Sequence, residues 1–390
     1  MQQVYMDHAA TTPLDERVLE AMLPYLKEHF GNASSVHARG RKARFAVEAS
    51  RERIAGLIGA EPGEIVFTSG GTEADNLAVK GVLQQRQQQQ GARGHLITSA
   101  AEHEAVLRPA EALSDAGWPV TILDPGPHGA VTPHQVTEAL RPDTVLVSLM
   151  HANNETGVLT PIEEIAAVCR KHDVLLHCDA VQTAGLLPLN VNDLGVDLLS
   201  ISGHKFYGPK GIGVLYVRGG VDLDPLVEGG SQERKRRGGT ENVAAVVGCA
   251  EALALAVDEA AARAERIRRL QRRLTHGLQD RLGHAMQLNT PLDDAPVAPH
   301  IVNLSFPPHE EQPMDGEMLL LNLDMQGVHA SAGSACTSGA LEPSHVLSAL
   351  GLPRATASAA ARFSLGKDTT EEEVDYVIET LDTVVQRMRR

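Results

Sequence analysis

Lys205 stands in SISGHKFYGPKGIG (200–213), where an apolar run ends among small residues. A lysine in that setting can be held at a ligand instead of in bulk water. Partial desolvation lowers its pKa and leaves an amine able to form a Schiff base with a carbonyl. Lysine alone does not decide the matter, because a surface lysine in a Gly-rich turn has the same local sequence. In FTSGGTEADN (67–76) another apolar run leads into Gly70-Gly71-Thr72 and then a helical pattern. Backbone N–H groups at such a helix start, with glycine allowing close approach, suit a phosphate. The GxxxxGK[ST] pattern of a P-loop is absent, and many turns of this kind bind nothing.

HCDAVQTAG (177–185) places Asp179 and Gln182 just after a third apolar run. A carboxylate there is costly unless it meets a cation; the plainer alternative is a helix N-cap. The protonated ring nitrogen of pyridoxal phosphate is such a cation, and an acidic partner helps the ring act as an electron sink. His103 in TSAAEHEAVL (98–107) sits at a further strand-to-helix junction, where an imidazole can lie over a ring, move protons or simply cap the helix. MHANNETGVLTP (150–161) adds Asn153, Asn154 and Glu155. Each signal is modest, but together at successive strand ends they amount to a site. Cys336 lies far from these, in ASAGSACTSGALEPSHVL (330–347), among residues too small to build a rigid apolar pocket. A thiol there can be a nucleophile if its thiolate is favoured, or an incidental loop cysteine.

These residues need a scaffold that gathers strand ends. EIVFTS, HLITSA, PVTILD, TVLVSLM, VLLHCDA, DLLSIS and GVLYV read as strands between about 64 and 217. Helical patterns such as TEADNLAVKGVLQQ and PIEEIAAVCRKH separate them. That alternation predicts an α/β fold with a mostly parallel sheet flanked by helices, in which ligands bind beyond the carboxyl ends of the strands. QQRQQQQGARG (84–94) reads as a fraying helix end and loop, and the Gly-rich, charged stretch 219–242 as a long loop. One long helix or two joined ones follow, with Arg263, Arg266 and Arg269 expected on a solvated face. HIVNLSF, GVHASAG and ARFSLG supply strands, and DGEMLLLNLDM and TEEEVDYVIETLDTVVQRM helices, of a smaller α+β domain. The expected division is 14–255 for a large cofactor-binding domain, with 1–13 and 256–390 forming the small one that carries Cys336.

Bulk properties narrow the function. The 390 residues, 43% hydrophobic and 22% charged, are ordinary for a globular chain. A net charge of -15 argues against direct nucleic-acid binding. No apolar run is long enough to span a bilayer, and the N-terminal residues lack the pattern of a secretory signal, so a cytoplasmic location is expected. Four scattered cysteines, 169, 178, 249 and 336, suggest neither a disulfide framework nor a resident metal. The first three sit in apolar stretches and read as buried bystanders.

At this point the combination is recognisable. SGHKFYGPKG, TSGGTEADN, NNETG, DAVQ, RRGGTEN and SAGSACTSGALEPSHVL resemble the cysteine desulfurases, in the class V aminotransferase group of fold-type I pyridoxal-phosphate enzymes. YMDHAATTPLDERV and FGNASSVHARGRKAR match the same family, so the resemblance runs in order from Tyr5 to Gly366. It implies that Lys205 carries pyridoxal 5'-phosphate as a Schiff base. Asp179 would pair with the ring nitrogen, Gln182 with the phenolic oxygen, and His103 would stack on the ring. Gly71, Thr72, Ser202 and His204 match the phosphate positions. Thr240 matches a threonine that reaches the phosphate of a neighbouring subunit, which implies a homodimer. Asn154 and Arg362 match the residues that hold the substrate carboxylate, a task suited to a guanidinium fork. Cys336 matches the nucleophile, in the branch with a long mobile catalytic loop. Ser231, Ala33 and Cys178 depart from the usual pattern without removing a chemical group.

The implied reaction takes L-cysteine to L-alanine. Lys205 serves as base at the α-carbon, His103 as proton carrier, and Cys336 as the thiolate that takes the sulfur as a persulfide. The sulfur then passes to an acceptor such as an iron–sulfur scaffold, or to tRNA or cofactor thiolation, and Cys336 could touch a cluster or metal in transit. A selenocysteine lyase or another class V enzyme is the rival within the class. A non-catalytic sulfur-carrier or scaffold partner is the rival outside it, although such a protein would be expected to have lost Lys205, Asp179 or Cys336.

Overall fold

The computed structural model describes residues 2–126, 128–333 and 343–389. Twelve strands are present among them: β1 (Val4–Tyr5), β2 (Ile65–Thr68), β3 (His95–Ser99), β4 (Val120–Leu123), β5 (Thr144–Met150) and β6 (Leu175–Asp179). They continue as β7 (Leu198–Ser202), β8 (Gly213–Val217), β9 (Gln287–Leu288), β10 (Ile301–Ser305), β11 (Val328–His329) and β12 (Ala360–Ser364). Seven form one sheet in the order β2-β8-β7-β6-β5-β3-β4. Neighbours from β7 to β4 pair in parallel, and β8 alone runs against both of its neighbours.

Period-two alternation explains how both faces of this sheet are covered. Ile65 and Phe67 of β2, and Val214 and Tyr216 of β8, point into one core with helices Glu16–Lys27, Ala38–Ile58, Ile162–Lys171 and Val243–Asp258. The residues between them, Val66, Leu215 and Val217, point into a second core with the helical run 71–90 and helix Glu104–Asp115. A third core joins Val4 and Met6 to residues of β10, β12 and helices Ala260–Leu282, Gly316–Met325 and Glu371–Met388. Its sheet has the order β12-β10-β9, and β1 pairs in parallel with β11. Among the described residues, no helix is long and apolar enough to cross a membrane.

Because β2, β3, β5, β6 and β7 share one direction, their carboxyl ends lie along one edge. Backbones crowd there: a Cβ on Gly213 would come within 2.5 Å of the Gly70 carbonyl carbon, so only glycine fits. The alternation of strands and helices thus appears as expected, and the long helical stretch after residue 242 is two helices broken at Glu259. GVHASAG contributes only the two-residue β11.

One expectation is corrected. Arg263 is not on a solvated face but buried, and its guanidinium donates to the carbonyls of Gly185 and Ala256. Arg266 likewise reaches the carbonyls of Thr369 and Lys367, while Arg269 is exposed. Charge periodicity on a helix cannot distinguish a solvated arginine from one whose donors satisfy carbonyls at chain ends.

The long loop 219–242 is tied down by a second buried arginine. Arg51 forms a two-pronged pair with Glu233 at 2.8 and 2.9 Å, and the Phe67 N–H donates to the same carboxylate at 2.9 Å. This pairing holds Glu233, Arg234 and Lys235 at positive φ. Arg51→Ala would leave the Glu233 carboxylate buried without its cation, a defect of about 3–5 kcal/mol. A matching loss of stability in urea unfolding is the expected result.

Candidate active site

The strand ends open on a cavity of about 270 Å³. Lys205 enters it from the 3-10 turn Gly203–Lys205 that follows β7. Its ammonium donates to the carbonyl of Ala9 and, at 3.1 Å, to that of Ala10. Burial is the main cause that brings its pKa down to about 8; Arg362 acts in the same direction, and Asp179 and Asp7 oppose it. Near neutral pH a useful fraction is therefore the free amine, the form that attacks a carbonyl.

Asp179 ends β6 and is buried, with Oδ1 accepting the Val181 N–H at 2.9 Å. The residue closes a side-chain turn and caps no helix, so the plainer alternative from sequence is not what occurs. Burial raises its pKa, while His103 and Lys205 pull it back. Such a carboxylate is best satisfied by a cation placed beside it. His103 does cap helix Glu104–Asp115: Nδ1 accepts the Ala105 N–H at 3.1 Å. It also lines the cavity. Burial lowers its pKa, so the neutral ring with Nδ1 committed as acceptor carries its proton on Nε2.

Gly71 and Thr72 open the helical run 71–90, whose first N–H groups have no partner within the helix. A Cβ on Gly71 would come within 2.9 Å of Val181 Cγ2, so a side chain would fill the cradle. Ser202 and His204 face the same space from β7 and the turn after it. His204 hydrogen-bonds Thr11 Oγ1 at 3.1 Å, and burial takes its pKa to about 4. Gln182 donates to the Ala9 carbonyl at 3.0 Å.

Asn154 lines the cavity, and its buried Oδ1 has no partner. Its backbone carbonyl accepts from Arg362 at 2.7 Å. Arg362 in β12 does not itself line the cavity; it is buried, bonded to Asp7 at 2.8 Å and Ser331 at 3.0 Å, and its Nε–H has no partner among the described residues. Glu155 and Asn153 are structural by contrast. Asn153 accepts the N–H groups of Glu155 and Thr156, and Glu155 takes a hydrogen bond from Ser344 at 2.5 Å. Thr240 is exposed and stands apart from the cavity. Cys336 lies outside the described residues. Cys169, Cys178 and Cys249 are buried, and burial raises all three thiols, Cys169 and Cys249 to about 12. They are therefore poor nucleophiles.

Several residues that shape the site carried no signal that could be read in isolation. The carbonyls of Ala9 and Ala10 hold the lysine, Asp7 neutralises Arg362, and His300 meets Gln182 from the position before β10. Asp75 also lines the cavity, 3.6 Å from His177 Nε2. Its spacing of three from Thr72 on one helix face was the available clue.

A family model described as Aminotransferase class-V matches residues 4–377. A protein named cysteine desulfurase IscS, from Dictyoglomus turgidum, is 47% identical over 388 residues, covering 99% of this chain and 95% of that protein. A solved structure described as a NIFS-like protein superposes with a TM-score of 0.90 at 37% identity, covering 99% of this chain and 100% of the other. Another, described as SspA in complex with cysteine, gives 0.80 at 38% identity and covers 93% and 99%.

Proposed function

The chain belongs to the class-V aminotransferase family and, within it, to the cysteine desulfurases, and on that premise we propose that it converts L-cysteine to L-alanine and leaves the sulfur on Cys336. The observation that carries this reading is the desolvated Lys205 sharing one cavity with Asp179 and the Gly71 turn.

The residues present fit pyridoxal 5'-phosphate. Gly71, where a side chain would fill the cradle, together with Thr72, Ser202 and His204, would hold the phosphate. Asp179 would face the ring nitrogen, Gln182 the phenolic oxygen and His103 the ring. Lys205 would hold the aldehyde carbon. When bound, the cofactor supplies a carbonyl for the substrate amine and a ring that takes up electrons from the α-carbon. Since the attacking amine must be neutral, capture of pyridoxal phosphate by the apoprotein should quicken as pH rises towards about 8 and level off above it. Stopped-flow absorbance across that range checks the sign; a rate that falls with rising pH contradicts it.

Arg362 and Asn154 would hold the substrate carboxylate, which takes up the unpartnered Arg362 Nε–H. Freed from the carbonyls of Ala9 and Ala10, Lys205 takes the α-proton. His103 gives or takes a proton at Nε2. The Cys336 thiolate then attacks the substrate sulfur: an S–S bond forms, the C–S bond breaks, and its electron pair returns to the carbon that becomes the alanine methyl. Arg362→Ala removes charged hydrogen bonds of about 1.5–3 kcal/mol. KM for cysteine should rise roughly 10–100-fold, more than kcat falls, in steady-state assays.

Two copies would complete the phosphate site, each lending Thr240, which agrees with the exposure of that residue. The proposed domain division falls at 255/256, and an acceptor such as an iron–sulfur scaffold would take the sulfur in the cytoplasm. The test is alanine release from L-cysteine by the holoenzyme with a thiol reductant. Alanine and sulfide in equal amounts are expected. Turnover that requires a 2-oxo acid, or that occurs with selenocysteine only, would replace this reading with one of the rival class V activities.

A further inference from the structure

His300 immediately precedes β10, three positions before Asn303, the residue that pairs with Arg362 (Ile301 faces Ser364). Its imidazole is 7% exposed, and Nε2 lies 3.3 Å from Gln182 Oε1. The proton positions follow from the partners. A backbone carbonyl only accepts, so the Gln182 amide nitrogen must face Ala9 and its oxygen must face His300. An amide oxygen also only accepts, so His300 carries its proton on Nε2. Nδ1 is then a bare acceptor, buried with no partner among the described residues. Burial lowers its pKa to about 3, with the electrostatic influence of Arg362, His8, Lys205 and Arg263 acting in the same direction, so the ring is neutral.

Gln182 borders both the main cavity and a small one of about 30 Å³ behind Lys205, whereas His300 borders the small one only. His300 therefore acts on the site through Gln182. We infer that His300 is a positioning residue: its Nε2–H fixes the Gln182 carboxamide so that the NH2 group faces the site, where it donates to the phenolic oxygen of pyridoxal phosphate. This rests on the reading of the main cavity as a pyridoxal-phosphate site. Without His300 the amide is free to turn and present its oxygen, an acceptor to which the phenolic group can donate only when protonated. The same bond joins the small-domain sheet carrying Arg362 to the cofactor side of the large domain.

A donated hydrogen bond favours the ionised phenolic oxygen, so its loss should move the pH midpoint of the holoenzyme's visible absorbance upward. The experiment titrates that band in the wild type, His300→Ala, His300→Gln, Gln182→Ala and the double variant. His300→Ala and Gln182→Ala should each raise the midpoint by roughly half to one pH unit. The double variant should add nothing further, and His300→Gln, which restores a donor near Nε2, should return the midpoint towards the wild type. Additive shifts, or a His300→Gln midpoint as displaced as that of His300→Ala, overturn the inference. A wild-type protein with no visible band on reconstitution would instead overturn the cofactor reading beneath it.

Discussion

Replacing Lys205 with alanine should abolish the covalent attachment of the cofactor and lower turnover by about a thousandfold or more. Two functions are lost together. In the proposed reaction the amine that would attack the carbonyl disappears, and so does the proposed base at the α-carbon, an effect of roughly 10²–10⁴-fold by itself in typical general-base catalysis. The Ala9 and Ala10 carbonyls that accept its hydrogen bonds cannot replace the amine, because a carbonyl is an acceptor only. The Gly71 turn, Ser202, His204 and Asp179 are untouched, so the variant should still bind pyridoxal phosphate non-covalently. Borohydride reduction followed by denaturation separates the outcomes. The wild type should retain the label on the Lys205 peptide, and the variant should release it. Lys205→Arg keeps the charge without a usable nucleophile, and should fail in the same way. A variant still labelled at another lysine would show that the amine had been wrongly assigned.

The second large effect belongs to Cys336→Ala. In the proposed reaction the thiol serves only sulfur transfer, so the variant should bind cofactor and cysteine with normal spectra and make no alanine. Cys336→Ser should behave alike, because a hydroxyl is far less ionised than a thiol near neutral pH and cannot accept sulfur in its place. None of the three buried cysteines can stand in, since burial raises their thiols far from the useful range. Alanine production at the wild-type rate would remove Cys336 from the mechanism.

The parts of the site that sequence made legible are those that follow from strand periodicity and turn chemistry. Apolar runs marked β2, β3, β5, β6 and β7, and the polar residues just beyond them, from Thr72 to Lys205, face one cavity. Signals that depend on tertiary partners were not legible. The Ala9 and Ala10 carbonyls have no residue-type signature, because any residue could supply them. His300 lies more than a hundred positions from Gln182, and nothing in APHIVNLSF marks its side chain as facing that residue. Arg263 is illegible for a related reason: its acceptors are the Ala256 carbonyl at the end of the preceding helix and the Gly185 carbonyl of a remote turn, and carbonyls have no residue-type signature. Arg362 was assigned by resemblance, and its ion pair with Asp7 emerges only when β12 is laid beside the N-terminal segment.

That ion pair has a consequence for binding. In the proposed reaction an entering carboxylate would meet Arg362 already paired with Asp7, at 2.8 Å, with the Asn154 carbonyl and Ser331 on its other donors. The substrate would then compete for a guanidinium whose position is already set.

The central claim is that sulfur leaves cysteine onto Cys336. The most direct measurement mixes holoenzyme with isotopically labelled L-cysteine in the absence of reductant, alkylates the protein and maps it by mass spectrometry. The account predicts one labelled sulfur atom added to the Cys336 peptide for each alanine released in the first turnover. Alanine released with no labelled sulfur on Cys336, or with the label on another residue, would contradict it.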